Sequence, residues 1–309
     1  MYSPKINMNK CCIQKPQQAT ITNSPQIVDK IYSNGSSSSN SSSSSNSSSS
    51  NSSSSSGGSS NGLATKRSMS NNHNCCHPME ITDATRIHIE RRVETANDFF
   101  DQTLRLYGVT ELIFCFNGGK DCTVLLDLLM RYCRQHNIAS FEIPMLYIES
   151  DDSFHEIDEF VQHCVQLYHV NLIKYKDSLK VALTHMTEDM PRIKAVFVGS
   201  RNTDPFCEHL QSMQKTDSDW PDMMRLNPLL EWTYHDIWHY IHMFNVPYCR
   251  LYAEGYTSIG YKSNTLPNPH LKQQNGNSNN NGSSIISSFK PAWELTDPTQ
   301  ERAGRVNRK

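Results

Sequence analysis

Apolar residues from about Thr82 onward recur first at helical spacing and then in a short continuous run. The helical stripe ends before Gly108, which supplies the expected stop. Its members are Ile89, Val93, Ala96, Phe100, Leu104 and Tyr107. The apolar run that follows, residues 112–116, has the length and composition of a strand covered on both faces. The pattern therefore predicts a helix followed by a buried strand.

The same alternation of helix and strand continues to Gly199. Helices are predicted over residues 122–137, 154–168 and 178–188, and strands over residues 145–148, 171–175 and 195–198. This order predicts an α/β fold, with a mainly parallel twisted sheet and helices on both faces. Ligands bind such sheets beyond the carboxyl ends of the strands. We therefore expect the chemistry to follow Phe116, Ile148 and Val198.

Two tracts interrupt the periodic text. Residues 33–62 are all Ser, Asn or Gly, and residues 273–284 are all Gln, Asn, Gly or Ser. Such runs bury nothing apolar and cannot offset a backbone-ordering cost of roughly 1–2 kcal/mol per residue. We predict a disordered extension over residues 1–79, one folded domain over 80–271, a disordered insertion over 272–288 and a C-terminal tail over 289–309.

Composition and charge exclude several classes of protein. A formal net charge of −2 gives no basic field for nucleic acid. No apolar run reaches membrane-spanning length. The chain has ten cysteines, and the six in the predicted folded domain have no metal-like spacing. They fit a reduced, cytoplasmic compartment. Residues 1–28 contain lysines and no acid, so organelle import is a minor alternative. The His and Cys residues of segment 73–77 lack the C-x-x-C spacing of a zinc site.

A glycine-rich loop joins the first strand to its helix, with the sequence Phe116-Asn117-Gly118-Gly119-Lys120-Asp121-Cys122. Adjacent glycines let the backbone approach a ligand closely, and the N–H groups at a helix start bind anionic oxygens. Lys120 adds a positive charge for a phosphate. The alternative is an ordinary turn with a solvated Lys-Asp pair. The spacing matches neither G-x-x-x-x-G-K-[ST] nor G-x-G-x-x-G.

This loop resembles the S-G-G-K-D-S loop of the PP-loop ATP pyrophosphatase superfamily, with Asn117 and Cys122 at the two serine positions. Enzymes of that superfamily, which have the adenine nucleotide alpha hydrolase-like fold, grip the terminal pyrophosphate of ATP and leave the α-phosphorus open. The resemblance therefore implies adenylylation rather than γ-phosphoryl transfer. The form N-G-G-K-D-C is similar to that of the eukaryotic FAD synthase branch.

Three further blocks carry the same resemblance. Residues 198–206 read V-G-S-R-N-T-D-P-F, residues 216–230 read T-D-S-D-W-P-D-M-M-R-L-N-P-L-L, and T-S-I-G precedes L-P-N-P-H within 256–270. They are similar to the G-x-R-x-T-D-P-F and D-S-x-W-P-D-F-M-R-L-x-P-L-L motifs of eukaryotic FAD synthases. Met223 stands where that family usually has Phe. The resemblance covers the folded core and the C-terminus.

The resemblance implies that AMP passes from ATP to FMN, with Mg²⁺ as cofactor, and that flavin apoproteins receive the FAD. It implies ATP contacts from Phe116, Asn117, Gly118, Gly119, Lys120, Asp121, Ile148, Gly199 and Arg305. It implies FMN contacts from Thr203, Asp204, Trp220, Pro221, Asp222, Met223, Arg225 and Arg302. Catalytic roles fall to Asn117, Asp121, Asp204 and Arg302, and Asp121 and Asp204 are the candidate Mg²⁺ ligands. An aromatic wall with a few polar contacts suits an isoalloxazine, although Trp220 alone would be read as a core or lid anchor.

The C-terminal tail contains a short predicted helix, with Asp297 as N-cap and Pro298 at its first position. Arg302 and Arg305, three residues apart, then share one face. A solvated basic tail is the alternative. The similarity to the E-R-A-G-R ending of FAD synthases implies instead that both guanidiniums bind phosphates and that insertion 272–288 returns the tail to the site.

Two rival functions stay open at this point. A phosphoadenylyl-sulfate reductase needs a catalytic cysteine near the C-terminus, and the last cysteine, Cys249, stands in no such motif. A non-catalytic nucleotide-binding module would have no need of Lys120, Asp121 and the terminal arginines, which are all present. His235, His239 and His242 share a helical face but complete no zinc motif, which favours surface or core roles.

Overall fold

Helices and strands alternate from Asp83 to Phe197, which confirms the predicted order. The computed structural model describes residues 79–273 and 288–306, so most of the two Ser- and Asn-rich tracts and the His/Cys segment 73–77 lie outside the described residues. Each predicted element ends within two residues of its prediction. The elements are α1 (Asp83–Leu106), β1 (Leu112–Cys115), α2 (Lys120–Gln135), β2 (Met145–Ile148), α3 (His155–Tyr168), β3 (Leu172–Tyr175), α4 (Leu179–Asp189) and β4 (Ala195–Phe197).

Helix α2 begins two residues earlier than predicted. Gly119 is its N-cap, and the carbonyl of Gly119 accepts the N–H of Thr123 at 2.9 Å. Lys120 and Asp121 therefore belong to the first helical turn. Their backbone N–H groups lie at the positive end of the helix dipole, where anions are stabilised.

Three later elements complete the described secondary structure. Strands β5 (Met213–Lys215) and β6 (Met224–Leu226) precede helix α5 (Tyr234–Met243). Thr233 and Asp236 form the predicted capping box at the start of α5. The two strands were not predicted, because three residues are too few to display a period of two. The remaining elements are short 3₁₀ turns at Val109–Glu111, Ser140–Glu142, Arg250–Glu254, Lys262–Asn264, Pro269–Leu271, Ala292–Glu294 and Pro298–Gln300.

The six strands form one sheet in the order β3-β2-β1-β4-β6-β5. All neighbours are parallel except β5 and β6. The chain moves from β1 outward to β3 and then crosses back to β4 on the other side of β1. Strand order thus reverses between β1 and β4, and a crevice opens at their carboxyl ends. The predicted fold class, mainly parallel with helices on both faces, is confirmed.

Side chains of each strand alternate between two apolar layers, as a pleated strand requires. Phe114 of β1 and Phe197 of β4 join the larger layer, which contains side chains of α1, α2, α3 and α5. Ile113 and Val196 point the other way, onto Met186 of α4 and its neighbours. The sheet is therefore covered on both sides, as the continuous apolar runs predicted.

Residues 288–306 pack against the domain at two backbone bridges. Lys272 pairs with Phe289, and Thr265 pairs with Arg305, both antiparallel. Between the bridges, Trp293 and Leu295 are buried in the larger apolar layer. Among residues 79–273 and 288–306, no helix is both long and apolar enough to cross a membrane.

Candidate active site

The loop between β1 and α2 is shaped by its two glycines and by Asn117. Gly118 has φ of 72°, in the left-handed region that glycine adopts readily. The Oδ1 of Asn117 accepts the N–H of Gly119 at 2.8 Å, and a Cβ at position 119 would come within 2.9 Å of that oxygen. This arrangement leaves the amide nitrogen of Asn117 as a donor for a ligand.

Lys120 is held inside the site and does not form a solvated pair with Asp121. Its side chain is 2% exposed, and Nζ donates to Asp121 Oδ2 at 3.0 Å and to Glu301 Oε1 at 2.5 Å. The rings of Tyr234 and Tyr252 lie 5.1 and 5.9 Å from Nζ. Two carboxylates and two aromatic faces thus fix the direction of one cation. The interpretation as an ordinary turn is therefore wrong.

A second buried cation, Arg201, lies beside Lys120. Arg201 follows β4 and is 1% exposed. Its Nε is 2.8 Å from Asp121 Oδ1, and its Nη2 is 2.6 and 2.8 Å from the two oxygens of Glu301. The buried Nη1 has no hydrogen-bond acceptor within the described ranges. Arg201 is therefore a buried charge of the site, held mainly by Asp121 and Glu301.

The carboxylates of this cluster have opposite pKa shifts. Burial acts to raise the pKa of Asp121, but the charges of Arg201 and Lys120 outweigh burial and bring that pKa below its ordinary value. Burial and the charge of Asp121 raise the pKa of Asp204. For Arg201, burial opposes the charged form, yet Asp121, Glu301 and Asp204 together raise its pKa. Asp121 is thus a firmly ionised partner of both cations.

A cavity of about 490 Å³ opens at the carboxyl ends of β1, β2 and β4. This is the edge of the sheet at which the chemistry was expected. Nine predicted site residues line it: Asn117, Gly119, Lys120, Asp121, Ile148, Gly199, Asp204, Arg302 and Arg305. The cavity is also lined by residues that the sequence did not single out, among them Tyr147, Tyr252, Ser258, Tyr261 and Glu301.

The tail reaches the cavity through a buried hydrogen-bond network. Thr257 Oγ1 donates to the carbonyl of Glu301 at 2.6 Å. Asn268, with no exposed surface, donates from Nδ2 to the carbonyl of Gln300 and to Thr257 Oγ1, both at 2.8 Å. These buried donors fix the backbone just before Arg302.

Both tail arginines then face the same hydroxyl. The Nη1 atoms of Arg302 and Arg305 are each 3.5 Å from Ser258 Oγ. A Cβ at Gly260 would overlap the guanidinium of Arg305, so the absence of a side chain at position 260 leaves room for that cation. The two guanidiniums share one side, as their spacing predicted.

Several residues predicted to bind FMN do not line this cavity. Met223 is 2% exposed and buried with Leu183 and Met186 of α4, and Trp220 packs partly buried against the same layer. Because β6 begins at Met224, the pleat turns Met223 toward α4. Met223 does not line the cavity in this conformation, and its flavin contact stays a prediction.

Four more predicted FMN residues do not line the cavity: Thr203, Pro221, Asp222 and Arg225. Asp222 is exposed and receives a hydrogen bond from Lys215 at 3.1 Å, and Thr203 is exposed. The carbonyl of Pro221 accepts from Thr216. Arg225 is closer to the site, because its Nη2 lies 3.5 Å from Ser200 Oγ, and Ser200 lines the cavity.

Two residues predicted to contact ATP are not among those that line the cavity. Phe116 is 1% exposed in the larger apolar layer. A side chain at Gly118 would meet Ile157 of α3 at 3.0 Å. Both positions therefore shape the loop from beneath rather than lining it.

The two predicted Mg²⁺ ligands differ in their fit to a cation. Both oxygens of Asp121 face Lys120 or Arg201, so that carboxylate is already compensated. Asp204 lines the cavity with a 26% exposed side chain, and its Oδ1 has only a 3.4 Å contact with Arg201. Mg²⁺ needs only one or two carboxylates when phosphates and water complete its shell. Asp204 fits that role and Asp121 does not.

Comparison with known proteins decides the family. Residues 111–267, about half of the chain, match the profile of the phosphoadenosine phosphosulfate reductase domain. A probable FAD synthase of Schizosaccharomyces pombe is 35% identical over 224 residues, covering 71% of this chain and 80% of that relative. The chain belongs to the FAD synthase family. A probable FAD synthase of Caenorhabditis briggsae is 34% identical over 234 residues, which is 74% of this chain. The match spans only 42% of that relative's length.

A solved structure agrees with this membership in the FAD synthase family. The crystal structure of Candida glabrata FMN adenylyltransferase in complex with FMN and the ATP analog AMPCPP has a TM-score of 0.66 and 30% identity. The match covers 74% of this chain and 94% of that chain.

Sequence reasoning missed two charged residues that organise the site of this FAD synthase family member. Arg201 stands in the block of residues 198–206, and Glu301 directly precedes Arg302. In the sequence, each of them is an ionisable residue that stands inside a recognised motif and was given no role. Their pairing could not be read from the sequence, because 100 residues separate them.

Proposed function

We propose that this chain transfers AMP from ATP to the phosphate of FMN, giving FAD and pyrophosphate. One observation carries the proposal. Lys120, Arg302 and Arg305 line one cavity, and Arg201 is buried immediately behind it. Several cations at one cavity suit a reaction that joins two phosphorylated substrates, because they reduce the repulsion between nucleophile and polyanion.

Family membership supports the choice of substrates. The C. glabrata enzyme has been solved with FMN and AMPCPP, and also with FAD and inorganic pyrophosphate. Those ligands are the substrate pair and the product pair of the proposed reaction. Flavin apoproteins are the class of partner that would take the FAD, and free cysteines in the described part of the chain favour a reduced, cytoplasmic setting.

The chemistry we propose is a direct in-line displacement. An FMN phosphate oxygen attacks the α-phosphorus of ATP, the bond from that phosphorus to the α,β-bridging oxygen breaks, and pyrophosphate leaves along the glycine loop. Asn117 and Lys120, which line the cavity, bind the leaving phosphates at the start of α2, and Arg201 adds its charge from behind the cavity. The FMN phosphate is already ionised, so no general base is required.

The tail arginines have a different task in this proposal. Arg302 and Arg305 line the same cavity as the loop, beside Ser258. They hold the FMN phosphate and the α-phosphate together as charge shifts from one bond to the other. Mg²⁺, when bound through Asp204, would neutralise part of the charge on the phosphates.

The flavin ring of FMN is proposed to lie outside this phosphate site. Thr203 is exposed and directly precedes Asp204, which lines the cavity. Arg225 adds a cation beside Ser200. Phe206 is 93% exposed, with φ of 64°. An exposed aromatic ring close in sequence to Asp204 is a better candidate wall for an isoalloxazine than the buried Met223.

A phosphoadenylyl-sulfate reductase is the second candidate, because the matching family profile bears that name. Its chemistry requires a nucleophilic thiolate. All six cysteines in the described ranges have raised pKa values, chiefly through burial, and those of Cys115 and Cys249 reach about 11. Thiols of that kind are protonated and inert near neutral pH. The cysteines therefore favour the transferase.

The test is incubation of the full chain with ATP, Mg²⁺ and FMN, followed by chromatography for FAD and a pyrophosphate assay. We expect FAD and pyrophosphate in equal amounts. Lys120→Ala should abolish both, whereas Lys194→Ala, an exposed lysine that contacts only the carbonyl of Pro191 through its Nζ, should not. Absence of FAD from the parent chain would refute the function. Covalent trapping of labelled AMP on the protein without FMN would refute the direct displacement.

A further inference from the structure

Glu301 joins three separate parts of the site through one carboxylate. Its side chain is 12% exposed. Oε1 accepts from Lys120 Nζ at 2.5 Å and from Arg201 Nη2 at 2.8 Å, and Oε2 accepts from the same Nη2 at 2.6 Å. The residues so joined lie in the first turn of α2, just after β4 and in the tail, up to 181 positions apart.

The backbone of Glu301 is fixed at the same time as its side chain. Its carbonyl accepts from Thr257 Oγ1, and the preceding carbonyl accepts from Asn268. Arg302 is the next residue. Glu301 therefore helps to fix where Arg302 enters the cavity, while the bridge between Arg305 and Thr265 holds the following residues.

Among the described residues, Glu301 makes the shortest ionic contacts with both buried cations, 2.5 Å to Lys120 and 2.6 Å to Arg201. Lys120 and Arg201 both contact Asp121. Asp204 contacts Arg201 less closely, with 3.4 Å between its Oδ1 and Nη2 of the arginine. Removal of one partner from a buried ion cluster leaves an uncompensated charge, which either recruits water or turns toward another carboxylate. Without the charge of Glu301, both cations would turn from their present directions toward Asp121.

We propose that Glu301 is a positioning residue for the adenylyl transfer, an inference that rests on the proposed function. It touches no reacting atom. It holds Lys120 and Arg201 in the direction of the leaving phosphates and anchors the tail that carries Arg302 and Arg305. The phosphates meet Lys120 from the cavity that it lines, and Arg201 adds its charge from the buried side. One carboxylate thereby fixes the position of the tail relative to the two buried cations of the phosphate site.

The central test is Glu301→Gln, which keeps the size of the side chain and removes its charge. We expect kcat for FAD formation to fall about a hundredfold, the loss typical of a 1 Å misplacement, with little change in KM for ATP. Glu301→Asp, one methylene shorter but charged, should recover part of that loss. The matched control is Glu294→Gln in the same tail, where the carboxylate forms a surface pair with Lys290 at 3.3 Å. That control should turn over like the parent.

A double variant separates positioning from simple loss of stability. If Glu301 acts through the tail arginine, adding Glu301→Gln to Arg302→Ala should cost much less than it does in the parent, because the two changes damage one unit. Full multiplication of the two losses would overturn the proposal. So would a Glu301→Gln variant with unchanged kcat and a lower KM for ATP, which would identify Glu301 as a counter-ion that ATP displaces.

A second readout does not depend on activity. Limited digestion with trypsin, followed by mass spectrometry, measures how accessible the bond after Arg305 is. That bond is four residues from Glu301, so the substitution does not alter the sequence next to the cut. We expect faster cleavage in Glu301→Gln than in the parent or Glu294→Gln, and equal rates would overturn the anchoring role. If the parent forms no FAD, the proposed function is refuted. The cleavage rate after Arg305 still tests whether Glu301 anchors the tail.

Discussion

Replacing Gly304 by Ala tests the placement of the tail without touching any charge. Gly304 lies between the two tail arginines, and its carbonyl accepts the N–H of Leu266 at 2.9 Å. A methyl group there would overlap the carbonyl oxygen of Leu266 and lie 3.3 Å from its carbonyl carbon. The obstacle is backbone, which cannot rotate away as a side chain can, so the tail itself must move.

The size of the effect follows from that overlap. Restoring an ordinary contact requires a shift of roughly 1 Å. The shift strains two tail hydrogen bonds, Leu266 N to Gly304 O and Val306 N to Asn264 O, each worth about 0.5–1.5 kcal/mol net. A misplacement of that size at a reacting group costs up to about a hundredfold in rate. We therefore expect kcat for FAD formation to fall between tenfold and a hundredfold, in line with about 1.4–2.7 kcal/mol.

Gly108→Ala is the matched control, because it makes the same chemical change where an added Cβ meets only Glu111 Oε2, at 3.5 Å. Steady-state kinetics and the melting temperature of both variants provide the comparison. The control should match the parent in kcat. If Gly304→Ala also matches the parent, the described position of the tail is not the one in which the chain works, and the argument from the arginines fails.

Three further outcomes test other parts of the site. Arg302→Ala should lower kcat about a hundredfold, or ~3 kcal/mol, for loss of a charge on the transferring phosphates; steady-state turnover at an unchanged melting temperature measures it. Trp220→Ala should mainly raise KM for FMN and, because Trp220 packs on the α4 layer, also lower the melting temperature; an unchanged KM would remove it from the flavin site. Burial and Asp121 raise the pKa of Asp204, so its carboxylate takes up a proton at a higher pH than an ordinary aspartate. FAD formation should accordingly fall, as pH is lowered, before ordinary aspartates titrate, and a pH profile that stays flat through that range would contradict a role for ionised Asp204.

The sequence was sufficient for the elements whose periodicity is long. Helices α1 to α4 and strands β1 to β4 appear within two residues of their predictions, because each buries an apolar stripe or run. It could not supply strand order, since the pairing of β1 with β4 joins segments about 80 residues apart by contacts that no local pattern encodes.

The phosphate side of the site followed from motifs, whereas the flavin side did not. Lys120 was found from the glycine loop at a helix start and Arg302 from the resemblance of the tail to the family's E-R-A-G-R ending, and both line the cavity. Met223 lies outside the cavity because it directly precedes strand β6 and packs in the apolar layer beneath it. Glu301 was missed because its partners are distant in sequence.

The bridge between Lys272 and Phe289 has a consequence for how the length of this protein can change. Beside it, Gln273 N donates to Ser288 O at 2.9 Å and Lys290 N donates to Leu271 O at 2.8 Å. These bonds clamp both ends of segment 274–287, so residues gained or lost inside it do not displace the backbone that leads to Trp293 and the arginines. Closing a loop twice as long costs only about 0.6 kcal/mol more. We therefore expect a change in the number of residues between 274 and 287 to leave Trp293 and the tail arginines where they are.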